Sequence, residues 1–210
     1  MLAAAGCGEG TTEIQPPAAP SASRLALATP PSVTSRSRVA LAVQPVVQLQ
    51  NAAGGNVQQA AVSVSVRITG GGVLAGPTTL ATNNSGAAAF AGLSISGLAG
   101  PQTLSFSAPG LGEVAATVSL LAGLPARIVA NSDTALVAIA GTAVFARPSV
   151  RVTDADGNAV SDVRVTFAAA NGGTVTGAEQ ITDANGIATV GGWQLGNTTG
   201  VHSLTATATG

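Results

Sequence analysis

Eight Arg, nine acidic residues and no Lys leave this 210-residue chain with a net charge of −1. Charged residues reach only 8%, against a usual ~25%, and no Arg cluster interleaves with aromatics, which argues against nucleic acid as a partner. The 46% apolar fraction argues against disorder along the whole length, yet no run reaches the ~18 clean apolar residues of a transmembrane helix.

The chain begins Met1-Leu-Ala-Ala-Ala-Gly-Cys7, with small residues directly before its one Cys. That reads as the tail of a bacterial lipoprotein signal and makes Cys7 the candidate lipid-attachment residue. It departs from such a signal in Ala4, where Leu is usual, and in lacking a charged n-region and a long apolar h-region. Membrane association is expected only through this anchor. A single Cys excludes an intrachain disulfide. Residues 1–20 carry Pro16, Pro17 and Pro20 and read as a disordered, flexible tether.

Beyond residue 20, short Val-rich runs alternate with Gly and Ser/Thr/Asn clusters. Val64 and Val66 alternate with Ser63 and Ser65, Val150 and Val152 with Arg151 and Thr153, and Val163, Val165 and Phe167 with Arg164 and Thr166. Period-two alternation between turn signals predicts half-buried antiparallel strands. The Ala-rich stretches are too β-branched and too often cut by Gly to hold a helix.

The runs repeat. Arg24-Leu25-Ala26 answers Arg127-Ile128-Val129, and Gly55-Asn56 is matched to Gly157-Asn158. At an offset of one hundred, Thr82 pairs with Thr182, Asn83 with Asp183, Gly86 with Gly186, Leu93 with Trp193 and Leu104 with Leu204. A repeat of this length marks one supersecondary unit used twice. The expected architecture is all-β: two tandem immunoglobulin-like β-sandwiches, residues 21–122 and 123–210, joined by a short and therefore semi-rigid linker. Glu113–Leu121 predicts a last strand in the first repeat. The second stops at Gly210, which aligns with Gly110, so the repeat leaves it C-terminally truncated by one strand.

Few residues invite chemistry. Asp154-Ala-Asp156-Gly157-Asn158 resembles the start of a calcium loop, but the bidentate Glu required at the twelfth position is Val165. The alternative is a turn, because Asp-Gly and Gly-Asn tolerate positive φ; weak calcium binding stays open. Asp183 reads as a turn cap, since Asn83 replaces it in the first repeat and either side chain supplies the capping oxygen. His202, answering Gln102, reads as an exposed strand position. Trp193, answering Leu93, reads as a core or half-buried packing position, with a sugar-stacking platform as the alternative. Paired titratable groups, zinc-ligand spacing and a phosphate loop are all missing, so neither an enzyme nor a cofactor is expected.

Taken together, Val150-x-Val152-x-Asp154-x-x-Gly157-Asn158-x-Val160-x-x-Val163-x-Val165-Thr166-Phe167, then Gly173, Thr182-Asp183-x-x-Gly186-x-Ala188 and Trp193-x-Leu195-Gly196, resembles the bacterial Ig-like domain of the invasin and intimin group. The first repeat departs from that pattern at Asn51, Val66 and Leu93. The resemblance implies a β-sandwich in a bacterial cell-surface or secreted protein, with no catalytic residues to carry over. The functional expectation is a non-catalytic structural or adhesion module of a tandem stalk, outer-membrane lipid-anchored if Cys7 is modified. Its partners would be neighbouring Ig-like modules or a protein or glycan ligand. The alternative is a ligand- or carbohydrate-binding accessory region of a larger secreted protein.

Overall fold

The structure, a computed structural model, describes residues 21–209. Among these every regular element is a strand. In the first half they are β1 (Arg24–Thr29), β2 (Thr34–Arg36), β3 (Val46–Gln50), β4 (Ser63–Thr69), β5 (Val73–Ala75), β6 (Thr79–Ala81), β7 (Ala87–Ala89), β8 (Ser94–Ser96), β9 (Gly100–Ser107) and β10 (Val114–Leu121). The second half has β11 (Arg127–Ala130), β12 (Ser149–Thr153), β13 (Arg164–Ala169), β14 (Thr174–Thr176), β15 (Glu179–Ile181), β16 (Ile187–Thr189), β17 (Gly192–Gln194) and β18 (Leu204–Thr209).

Two sheets build the first half, β1-β3-β7 and β2-β10-β9-β4-β6. The alternation seen in the sequence sorts side chains between core and solvent. In β4, Val64 and Val66 are buried while Ser63, Ser65 and Arg67 are exposed. Inward residues of both sheets form one cluster that includes Val47, Leu49, Leu104, Phe106, Val118 and Leu120. Phe90 and Phe106 meet in it, tilted by 57° with ring centroids 5.5 Å apart, a favoured aromatic geometry.

The second half repeats this plan with fewer strands. The sheet β11-β12-β16 answers β1-β3-β7, and β15-β13-β18 answers β6-β4-β9. The small pairs β5-β8 and β14-β17 also correspond. A separate cluster forms here around Val152, Val165, Phe167 and Val190, and Ala122 packs against it. In the first half β9 is bonded to β4 on one side and β10 on the other. Among the described residues its counterpart β18 is bonded only to β13. The burial of β18 strictly alternates between half-buried and exposed, whereas half of β9 is fully buried.

One turn recurs almost atom for atom. Thr82 Oγ1 accepts from Val62 N at 3.0 Å and donates to Gln59 O at 2.7 Å. Thr182 Oγ1 likewise accepts from Val163 N at 2.9 Å and donates to Val160 O at 2.8 Å. Oδ1 of Asn83 and of Asp183 caps the following turn through two backbone N–H groups in each half. Gly86 and Gly186 close it at φ 77° and 73°, a region that L side chains rarely occupy. The loops after β3 and β12 correct the alignment by one residue. Gly54 and Gly157 hold the same left-handed φ, 87° and 88°. Gly55 therefore stands opposite Asn158, not Gly157, because the left-handed position fixes the register.

Candidate functional site: an acidic loop between the two halves

The segment Asp154–Asn158, which follows β12, is a turn, and it is also where the two halves meet. Asp154 is 4% exposed. Its Oδ1 accepts the N–H of Asp156 at 2.9 Å and of Asn158 at 2.8 Å, which shapes the loop. Its Oδ2 accepts Asn158 Nδ2 at 2.8 Å and the N–H of Gly123, in the connection between β10 and β11, at 2.7 Å. Burial pushes this carboxyl up, but the donors around it outweigh burial and hold it below the ordinary carboxylate value.

Asp156 reaches across to the segment after β2. Arg38 grips it with two bonds, Nε to Oδ2 at 2.9 Å and Nη2 to Oδ1 at 2.6 Å. Ser37 Oγ donates to Oδ2 at 2.5 Å. Forked guanidinium–carboxylate pairing fixes orientation as well as distance. The Arg38 and Ser37 hydrogen bonds hold the Asp156 carboxyl down to about 2. Asn158 completes the contact: its Oδ1 accepts Ala99 N at 2.8 Å and its Nδ2 donates to Gly97 O at 2.9 Å. Gly97 N in turn donates to Ser37 Oγ at 3.2 Å. Arg38 takes up a left-handed φ of 64° to present its side chain here. An added Cβ at Gly123 would stand 2.8 Å from Ser37 O and 3.3 Å from Asp154 Oδ2, so the connection is packed tightly at this point.

Chemically this cluster is a lock: donors of the first half close on Asp156 and on Asn158 Oδ1, and Asn158 Nδ2 donates back to Gly97 O. Each carboxylate oxygen of Asp154 and Asp156 already accepts at least one hydrogen bond from the protein. A cation at these oxygens would compete with those donors. Among the described residues no group of three or more His, Cys, Asp or Glu side chains is placed to hold a metal ion.

The other candidate residues lie apart from this cluster. Asp183 caps its turn. Trp193 is half-buried in β17, opposite Val175 of β14. His202 is a correction: it precedes β18 rather than sitting in a strand, and it is half-buried, with Nε2 2.9 Å from Thr198 O. Among the described residues, the strand edge that covers Gln102 in the first half has no counterpart over His202. Cys7 lies outside the described residues. Sequence reasoning stopped at the turn and missed the joint. The available signal was excess polarity: Asp154, Asp156 and Asn158 stand where the first repeat makes the same turn with Asn51, Ala53 and Gly55.

No family model matches the chain, and no curated protein matches it. Solved structures do. FdeC, an Escherichia coli adhesin, matches with a TM-score of 0.53 at 16% identity over 90% of this chain and 60% of that one. InvD of Yersinia pseudotuberculosis matches at 0.44 and 20% identity over 89% and 52%, and the D00–D0 domain of intimin at 0.42 and 14% over 89% and 92%. The chain thus spans about 60% of the FdeC structure. On its sheet order and on the match to FdeC, the chain has the all-β fold of the bacterial Ig-like domains found in adhesins of the invasin and intimin group.

Proposed function

We propose that residues 21–209 are a two-module, non-catalytic segment of a bacterial cell-surface adhesion stalk, with residues 21–122 and 123–209 as modules held at a fixed angle. The lock between Arg38, Ser37, Gly123 and the Asp154–Asn158 loop carries this reading. A catalytic or simple binding role does not require two sandwiches to be fixed to one another, whereas a projecting stalk does. The adhesin fold supports the same reading. Its partners are then further Ig-like modules along the stalk and a protein ligand facing it. Cys7 serves as the lipid anchor.

Residual dipolar couplings on the chain test the stalk. One alignment tensor is expected for both modules in the wild type, and two distinct tensors in the Arg38→Ala/Asp154→Asn variant. Two independent tensors in the wild type would overturn the proposal. Labelled palmitate incorporation that persists unchanged in Cys7→Ala would remove the anchor while leaving the stalk reading intact.

A further inference from the structure

In the second half Asp156, Asn171 and Asn185 each stand directly before a Gly, an arrangement that residues 21–122 lack. With no Cβ on the Gly, its backbone N is free to close on the side-chain carbonyl carbon before it. Asn185 lies in the Thr182–Gly186 turn, where the Gly186 N–H is spent on Asp183 O at 2.9 Å. Asn171 is exposed in the turn between β13 and β14, with its Nδ2 on Val201 O. Asp156 differs from both, because what restrains its side chain belongs to the other half of the chain.

The loop itself shields Asp156 little. Gly157 N donates to Asp154 O at 3.2 Å, the long end of the usual range, and a Cβ built on Gly157 meets nothing within 4 Å. The restraint comes from across the joint. Arg38 forks onto both carboxylate oxygens and Ser37 Oγ donates to Oδ2, which leaves the Asp156 side chain 12% exposed. These donors anchor the carboxyl on the first half and favour its ionised form.

We propose that Asp156–Gly157 is a succinimide-forming site gated by the joint: the Arg38 and Ser37 bonds protect it while the joint is closed, and an open joint lets it convert to isoaspartate. In the reacting form the carboxyl is protonated. Gly157 N attacks Asp156 Cγ, the N–Cγ bond forms, the Cγ–OH bond breaks, and the amide proton leaves with that hydroxyl as water. Water then adds to the cyclic imide. Addition at Cγ restores Asp156. Addition at the main-chain carbonyl carbon breaks its bond to Gly157 N and leaves the chain running through Cγ. The product has the same composition, a backbone longer by one methylene and a carboxylate shorter by one. The loop then no longer has the length over which Asp154 Oδ1 spans the N–H groups of residues 156 and 158, and the shortened carboxylate falls back from Arg38. A joint held open therefore loses the means to close. The inference needs the joint alone and is independent of what the chain adheres to.

Trypsin, cutting after Arg151 and Arg164, releases Val152–Arg164, in which isoaspartate at position 156 is identified by electron-transfer fragmentation. The full chain is aged at pH 5, native and in urea, beside native Arg38→Ala and Ser37→Ala. Conversion in the native wild type is expected to run about 100-fold slower than in urea. Arg38→Ala is expected to convert about tenfold faster than native wild type, and Ser37→Ala about threefold faster. Deamidation of Asn171, read in the same digest, is expected to stay within about twofold of wild type in both variants. Native wild type that converts as fast as the chain in urea overturns the gating, whether or not Arg38→Ala folds; if the two halves still share one alignment tensor, the fixed angle stands and only this inference falls. Equal rates in wild type and both variants overturn it as well. If Asn171 accelerates in step with Asp156, the loosening is general and the joint is not the gate.

Discussion

Replacing Asp154 by Asn separates the turn from the joint. The variant keeps an Oδ1 for the loop N–H groups of Asp156 and Asn158, as Asn51 Oδ1 accepts Gly55 N at 2.9 Å in the first half. It puts an NH₂ where Oδ2 now accepts Gly123 N at 2.7 Å and Asn158 Nδ2 at 2.8 Å. Three donors then face one another, and Gly123 N–H is left without an acceptor in a buried setting. Losing a hydrogen bond to a charged group, with its partner stranded, costs about 2 kcal/mol. At about 1.4 kcal/mol per factor of ten, the Gly123 amide is expected to exchange about 30-fold faster in Asp154→Asn. Amides of Val47 and Val165, one in each core, should stay within about threefold of wild type. Native-state exchange read by NMR checks both. If Gly123 also stays within about threefold while the cores are intact, the Asp154–Gly123 bond is not holding the β10–β11 connection against the loop.

The joint should also respond to acid in a defined window. Asp156 titrates at about 2 in the folded chain against an ordinary 3.8, so its contribution is fully present above about pH 4 and disappears as pH falls through about 2. Small-angle scattering is expected to show one inter-half geometry at pH 5 and at pH 3 and a broader distribution near pH 2; opening centred at pH 4 or above contradicts the lock. Two glycines that both hold a left-handed φ, Gly186 at 73° and Gly157 at 88°, should differ by their surroundings. A Cβ on Gly186 runs into Val152 O, whereas one on Gly157 meets nothing within 4 Å. Urea unfolding of the second half should therefore lose about 3 kcal/mol in Gly186→Ala and only about 1 kcal/mol in Gly157→Ala. Thr182→Val keeps the shape but strands Val163 N and Val160 O, and the same measurement should fall by about 2 kcal/mol.

The strands were legible because one face of each is dry. Val64, Val66, Val165 and Phe167 are all buried on alternating strands, and that alternation is local. The Thr82–Gly86 and Thr182–Gly186 turns were legible for the same reason: the capping oxygen and the left-handed Gly lie within five residues of one another. The joint was not legible. Asp156 and Arg38 are 118 positions apart, and nothing local distinguishes a carboxylate that caps a turn from one that also grips a guanidinium. His202 was misplaced because its counterpart Gln102 lies inside β9, whereas β18 starts only at Leu204. Trp193 fitted the half-buried alternative, but its place in a groove depends on which strand stands opposite, and that is a tertiary fact.

The two halves share a fold and do not share the lock. Where the second half has Asp154, Asp156 and Asn158, the first has Asn51, Ala53 and Gly55, and its loop bonds only within itself or to Gln50. Where the first half has Ser37 and Arg38, the second has Ala140 and Gly141. Gly141 keeps the positive φ of Arg38, 77° against 64°, so the backbone is ready at both places and the side chains differ. Each half therefore carries one side of a single interface. A turn under no constraint beyond its own geometry needs only residues that tolerate that φ, and the Asn51 loop makes the same turn with Ala52, Ala53 and Gly54. The concentration of complementary charge and hydrogen-bonding groups on one facing pair of loops is what a fixed angle between these two halves requires.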